Sequence, residues 1–347
     1  MYFKKIFIAT AFIGLLIAGY FSFRIYQIVM MPNTNFNNPE ATLFIKTGET
    51  YSELRKDLEP LLKNIENFDV LAKRKEYVYN LKSGKYILKK GMNNNAIINT
   101  LRTANVPIHV SFNNQETIYN LAGRISKQIE ADSISLVNSM LNEDFLSEKR
   151  LDDQTVISYF IPNTYEFFWN TSSSQFIERM GKENQRFWNT ERLAKADKLN
   201  LSPIQVSILA SIVQKETNKH DEMPRVAGVY LNRLKKGWPL QADPTVIFAL
   251  KKTSKNFDIV IKRVLLKDLE IESPYNTYKY KGLPPGPITM PDIVALDAVL
   301  NPETHDYFYF VADVENFGYH KFAKTLQQHN KNRIKYQQWV NKQRIMR

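Results

Sequence analysis

The chain has no cysteine in its 347 residues. That excludes disulfides, thiolate metal sites and a cysteine nucleophile, and it is compatible with export. The sequence also lacks a phosphate-cradling glycine loop, a zinc-protease helix and a G-x-S-x-G elbow, so the common nucleotide, metalloprotease and serine-hydrolase readings fall away. Histidine is scarce. The five, His109, His220, His305, His320 and His329, never fall four apart on one helix, so no metal ligand set and no cofactor is expected.

Charge is missing from one long stretch. Ile6 to Phe23 is uncharged and mostly apolar, preceded by Lys4 and Lys5 and closed by Arg24. Continued by Ile25 to Met31, the run is long enough for a hydrocarbon core of about 30 Å. No small-x-small pair follows it and no cysteine is there to carry a lipid, so an uncleaved anchor is expected rather than a signal peptide. The two leading lysines place the N-terminus in the cytoplasm and everything after about residue 30 outside.

What remains is ordinary globular composition, 44% hydrophobic and 24% charged, which excludes a disordered chain. The net charge is +12, of which Lys4, Lys5 and Arg24 supply three. A basic exported surface would be held near anionic lipid or an anionic polymer, but the scattered charge reads first as a solubilising surface. The lysines are scattered and surround no reading motif, so nucleic acid is not an expected partner.

Met31 to Glu40 is rich in Asn and Pro and reads as a tether. Two strand-then-helix segments follow, Ala41 to Thr47 leading into Glu49-Thr50-Tyr51-Ser52-Glu53-Leu54, and Val106 to Phe112 leading into Glu116-Thr117-Ile118-Tyr119-Asn120-Leu121. The shared E-T-x-x-x-L pattern puts Thr at a helix start and Leu on its buried side. Lys85 to Leu88 reads as a strand and Asn94 to Leu101 as a helix, giving a small βαβ-type module over about 41 to 105. The chain is then mostly helical to about Asn200. Beyond the helix that follows, Pro224 to Lys236 is a helix, Asp243-Pro244-Thr245 starts another with Asp243 as its cap, and Tyr275 to Tyr280 alternates as a strand. Pro291 to Leu300 is a helix, Asp306 to Ala312 a core strand and Thr325 to Arg344 a polar helix. Strands and helices do not alternate strictly, so the fold class is α+β.

The most telling residue is Glu216. Ser202, Pro203 and Gln205 open a helix with a capping box and proline in the first turn. Counting by fours gives Ile204, Ile208, Ile212 and then Glu216, so a carboxyl continues an apolar stripe. Burial raises a carboxyl's pKa, and a carboxyl protonated near neutral pH can act as a general acid. The alternative is a helix end emerging from the core, with Glu216 in water or paired with Lys219 or Arg225. Asp243 is a candidate second carboxylate, though its position also suits a helix cap. Gly282-Leu283-Pro284-Pro285-Gly286-Pro287 suits a preformed wall beside a cleft or a plain tight connection.

Several of these runs together carry a resemblance. Ala210-Ser211-Ile212-Val213-Gln214-Lys215-Glu216-Thr217, Val229-Tyr230-Leu231-Asn232-Arg233-Leu234, Leu240-Gln241-Ala242-Asp243-Pro244-Thr245-Val246, Tyr275-Asn276-Thr277-Tyr278 and Gly282 to Ile288 occur in order. The sequence resembles the YceG-like (MltG) family of endolytic murein transglycosylases from about residue 43 to 340. Ile161-Pro162-Asn163-Thr164-Tyr165 is similar to that family's P-D-T-Y element with Asn163 in place of Asp, and His320 to Asn330 resembles its C-terminal signature.

The resemblance implies a cytoplasmic tip at 1-5, a transmembrane anchor at 6-30 in the bacterial inner membrane, a tether at 31-40 and a LysM-like module at 41-105. A connecting helical subdomain at 106-195 and a catalytic domain at 196-347 would follow. It further implies peptidoglycan glycan strands as substrate and peptidoglycan synthases as candidate partners. Glu216 would be the single catalytic acid and then base, with Gln241, Asp243, Thr245, Tyr275, Asn276, Thr277 and Tyr278 as substrate-binding candidates. A hydrolytic muramidase using Asp243, and a non-catalytic peptidoglycan-binding scaffold, stay open as alternatives.

Overall fold

A computed structural model describes residues 2–342. The first helix, α1 (Tyr2–Val29), contains no buried residue and is long and apolar enough to cross a membrane. The described chain forms two compact units of mixed α and β structure. The first runs to Val110 and takes in Gln128–Ala131 and Tyr165–Ser172; the second holds Ser111–Lys127, Asp132–Thr164 and the chain from Ser173 onward.

In the first unit, β1 (Glu40–Ile45) pairs antiparallel with β2 (Gly84–Lys89), from Glu40 opposite Lys89 to Ile45 opposite Gly84. Between the strands lie α2 (Tyr51–Leu58) and α3 (Ile65–Arg74), and α4 (Asn94–Thr103) follows. The expected βαβ-type order is thus corrected to two helices between antiparallel strands. Thr50 caps α2 in a capping box with Glu53. Leu54, Leu58, Phe68, Leu88, Ile97 and Leu101 close the core beneath the strands.

Within residues 31-40, expected as a tether, Asn33 and Thr34 are bonded into the first unit. Asn33 is buried, donates through Nδ2 to Asn64 O (2.8 Å) and Asn94 Oδ1 (2.7 Å), and accepts from Asn64 N–H (2.9 Å). Gly91 N–H donates to Thr34 Oγ1 (2.8 Å), and Asn94 Nδ2 reaches Ile28 O at the end of α1 (2.8 Å). Polar content here satisfies a buried backbone rather than solvating a linker.

The strands β3 (Pro107–Phe112) and β4 (Asn163–Phe168) form a second two-stranded sheet, with the unit boundary falling inside both. In the second unit come α5 (Ile118–Ile125), α6 (Ser133–Met140), α7 (Glu143–Lys149), α8 (Ser173–Phe187) and α9 (Thr190–Lys198). Thr117 caps α5 as its pattern predicts. Around the middle of the unit are α10 (Pro203–Glu216), α11 (Met223–Lys235), α12 (Asp243–Ser254) and α13 (Ile293–Leu300), and α10 packs against α11, α12 and α13. The third sheet pairs β5 (Tyr309–Ala312) with β6 (His320–Ala323) before α14 (Leu326–Lys342). Tyr309, Phe310 and Val311 are half-buried and Ala312 is exposed, so β5 is not the core strand expected. Tyr275 to Tyr280, expected as a strand, is instead a series of turns held by Asn276.

Candidate active site

The position of Glu216 is set by α10. Ser202 accepts from Gln205 N–H and Gln205 Oε1 accepts from Ser202 N–H at 2.8 Å, so the helix start is fixed as its sequence predicts. From Val206 to Gln214 every residue is buried. A helix surrounded on all faces needs its polar side chains satisfied, and α10 uses them as fasteners. Ser211 Oγ accepts from Ile288 N–H (3.0 Å), and Gln214 Oε1 accepts from Asp292 N–H (2.6 Å). The loop Gly282 to Pro287 and the start of α13 are thereby pinned against the helix.

Glu216 is the last residue of α10. The residue remains partly open to solvent while its carboxyl is enclosed by protein. Burial pushes its pKa up to about 7, against an opposing hydrogen bond from Tyr230; Asp243 pushes it up further, and His320 and Arg233 pull it down. A carboxylate at a helix C-terminus also faces the negative end of the backbone dipoles. The alternative partners are engaged elsewhere: Arg225 Nε donates to Glu303 (2.9 Å) and Lys219 lies over the ring of Tyr319.

The partner of Glu216 is instead Tyr230 on α11, whose hydroxyl donates to Glu216 Oε1 at 2.5 Å. Tyr230 is 1% exposed, and Phe310 packs edge-on against its ring at 5.9 Å. One turn on, Arg233 is also buried; its Nε donates to Phe308 O (2.7 Å) and its Nη1 to Leu240 O. Sequence reasoning missed both. An apolar helix pattern makes Tyr230 look like core packing, and only its place in the V-Y-L-N-R-L run, beside Arg233, hints at more.

The predicted substrate-binding residues separate into two groups. Thr245, Tyr275, Asn276 and Thr277 are buried. Asn276 Nδ2 donates to Leu269 O and Ile271 O, and Thr245 and Thr277 join hydroxyls at 2.8 Å. Thr277 Oγ1 accepts from Ala242 N–H, and Tyr275 packs on Phe248. These four have their polar groups or rings committed to the fold. Gln241, Asp243 and Tyr278 reach the surface. Gln241 adopts a left-handed backbone (φ 49°), uncommon for a non-glycine residue. Asp243 is the first residue of α12 and makes no capping bond, which corrects the cap assignment; its Oδ1 accepts from Tyr278 Oη at 2.5 Å.

The sum is a carboxyl that titrates near neutrality, fixed by a phenol, with an exposed Asp243–Tyr278 pair and a cationic guanidinium nearby. No group of three or more His, Cys, Asp or Glu side chains able to hold a metal occurs among the described residues. Such a site suits proton transfer to and from a bound molecule.

Comparison with known proteins agrees with that chemistry. The pattern of the YceG-like family matches residues 43–335. An endolytic murein transglycosylase of Bacillus subtilis is 31% identical over 77% of this chain and 79% of its own length. One from Streptococcus pneumoniae is 27% identical over 92% of this chain, which spans 63% of that longer protein. A crystal structure of a yceG-like protein from Listeria monocytogenes superposes with a TM-score of 0.55 at 29% identity, covering 85% of this chain and 99% of that one. These relatives place the chain among α+β enzymes of the lytic transglycosylase class. Within it, this chain belongs to the YceG-like family.

Proposed function

We propose that the protein is a membrane-anchored lytic transglycosylase that cuts peptidoglycan glycan strands internally, with Glu216 as its single acid and base. The observation that carries this reading is the Glu216 carboxyl, held at the end of a buried helix with a pKa of about 7. At neutral pH a large share of molecules holds the proton that the first step needs. Glu216 gives it to the oxygen bridging MurNAc to GlcNAc, and the glycosidic bond breaks. The carboxylate then takes the proton of the MurNAc 6-hydroxyl, and O6 closes on C1 as a 1,6-anhydro end. No water is consumed and Glu216 returns to its starting form.

Gln241, Asp243 and Tyr278 are the surface groups we assign to sugar hydroxyls and amides. Thr245, Tyr275, Asn276 and Thr277 support them from behind. The first unit we read as a LysM-like, peptidoglycan-binding module. α1 anchors the chain in the cytoplasmic membrane with the two units outside, near the synthases that make the substrate.

Mass analysis of glycan digested by the full chain in detergent tests the proposal, because anhydro ends are lighter by one water than hydrolytic ends. Glu216→Gln is expected to bind glycan and release no fragment, a loss on the order of 10² to 10⁴ in rate. Hydrated ends would instead identify a muramidase. Undiminished cleavage by the variant would remove Glu216 from the mechanism.

A further inference from the structure

The function proposed above gives both proton transfers to Glu216, and its carboxyl has a partner with a defined geometry. Tyr230 donates from a ring held in the core by Phe310, so its hydroxyl has one target, Glu216 Oε1 at 2.5 Å. It is the hydrogen-bond partner of that carboxyl among the described residues. We propose that Tyr230 is the positioning residue of the reaction: it occupies Oε1 throughout the cycle, so that Oε2 alone releases the proton to the glycosidic oxygen and recovers it from the 6-hydroxyl. This rests on the function proposed above.

Between two oxygens at hydrogen-bond distance there is room for one hydrogen, and here the phenol supplies it. Burial, with the nearby charge of Glu216, holds the Tyr230 phenol well above its ordinary value. It therefore remains a donor whether Glu216 is protonated or charged. The proton of the acid form is thereby confined to Oε2. A carboxyl free to rotate or to place its proton on either oxygen would present the wrong one for part of the time, and a misplaced catalytic group is slow.

The Tyr230–Glu216 contact also acts on the charge of the carboxyl. A hydrogen bond to the charged form favours that form and opposes burial. The groups facing Glu216 are Tyr230 and Arg233 from α11, Asp243 from α12, His320 from β6 and Tyr278 from the turns after residue 271. Arg233 and His320 favour the carboxylate and Asp243 disfavours it. Tyr230 acts through direct contact and so ties position to acidity. Without it the carboxyl becomes both looser and harder to ionise, and the second step, which needs the charged form, suffers.

The test measures glycan cleavage against pH with the full chain in detergent. Tyr230→Phe keeps the ring and removes the donor. It is expected to lower kcat about tenfold or more with KM unchanged, and to move the alkaline limb of the rate profile upward by about one pH unit. Site-specific replacement of Tyr230 by 3,5-difluorotyrosine, a stronger donor of the same shape, should move that limb downward while the melting temperature is kept. A Phe variant that melts normally with the wild-type pH profile overturns the proposal, as does one whose loss lies in KM alone. If the Phe variant fails to fold, the fluorinated chain decides, and an unmoved limb there overturns it equally. Glu216→Gln serves as the reference: if it is dead while Tyr230→Phe is unchanged, only this proposal falls, and if it is active the functional reading falls first.

Discussion

The carboxylate of Glu222, 2% exposed, accepts two hydrogen bonds from His320, one from the backbone N–H at 2.7 Å and one from Nδ1 at 2.8 Å. Glu222 precedes α11, which carries Tyr230, while His320 opens β6, whose partner strand β5 carries the Phe310 that packs on Tyr230. The pair therefore ties the C-terminal hairpin to α11, the helix whose Tyr230 hydroxyl bonds Glu216.

Burial alone would raise the Glu222 pKa, but the His320 side-chain and backbone hydrogen bonds outweigh it and hold the group below its ordinary value of 4.5. A carboxyl with a depressed folded value contributes stability that is complete above its unfolded value and lost as pH falls through the folded one. Glu222→Ala is expected to cost about 3 kcal/mol near neutral pH, because a buried donor pair loses its acceptor. Thermal melting from pH 6 downward checks this: wild type should lose stability below roughly pH 4.5, and the variant should show less of that decline. Equal slopes would remove the pair from the stability of the fold.

Glu216 predicts the opposite sign. Its folded value of about 7 lies above the ordinary 4.5, so the folded state holds the proton more tightly and stability falls as pH rises from 4.5 towards 7. The difference corresponds to about 3 kcal/mol as an upper figure. Glu216→Gln keeps an acceptor for Tyr230 and removes the ionisation. The variant should match wild type near pH 4 and exceed it by up to that amount at pH 8, read from denaturant midpoints at the two values.

The Asn33 network yields a third expectation. Asn33→Ala leaves Asn64 N–H, Asn64 O and Asn94 Oδ1 without their partner inside the first unit. The cost is about 2 kcal/mol or more. Hydrogen exchange should quicken across residues 28–35 and around Asn64, with the second unit unchanged. A chain begun after Arg24 should keep the network and remain folded, whereas deleting residues 31–39 should not be tolerated. Unaltered exchange in Asn33→Ala would show that this network does not hold residues 28–35 in place.

What could be read from the sequence was local. The caps at Thr50, Thr117 and Ser202 depend on residues three apart, and a side chain and its own helix start are always neighbours. Glu216 stood out because a charge interrupted an apolar repeat, although the repeat itself understated α10, which is buried on every face and not along one stripe. What escaped was non-local. Asn33 meets partners 31 and 61 positions away. Tyr230 meets Glu216 across the packing of two helices, and nothing in either helix's own pattern encodes that crossing. Asp243 was misread for a related reason: Asp before Pro at a helix start suits a cap, but Tyr278, 35 residues on, claims its carboxylate.

The wall loop permits a last, paired prediction from two glycines. A Cβ on Gly286 would lie 2.2 Å from Gln154 O and 3.1 Å from the Tyr275 hydroxyl, closer to a backbone atom than any real side chain sits. Since Ile288 and Asp292 just beyond it are bonded to Ser211 and Gln214 of α10, the strain would pass to the helix that ends in Glu216. Gly286→Ala is expected to cost on the order of 3 kcal/mol and to lower kcat as well as stability. Gly123, inside α5, has open space where a methyl group would go, with nothing within 4 Å, and no left-handed backbone. Gly123→Ala should therefore stabilise the protein by about 0.5 to 1 kcal/mol and leave cleavage untouched, because alanine loses less backbone freedom on entering a helix. Melting and glycan cleavage of the two variants side by side separate a close-packed wall from an ordinary loop: if Gly286→Ala behaves like Gly123→Ala, the loop has slack and does not shape the site.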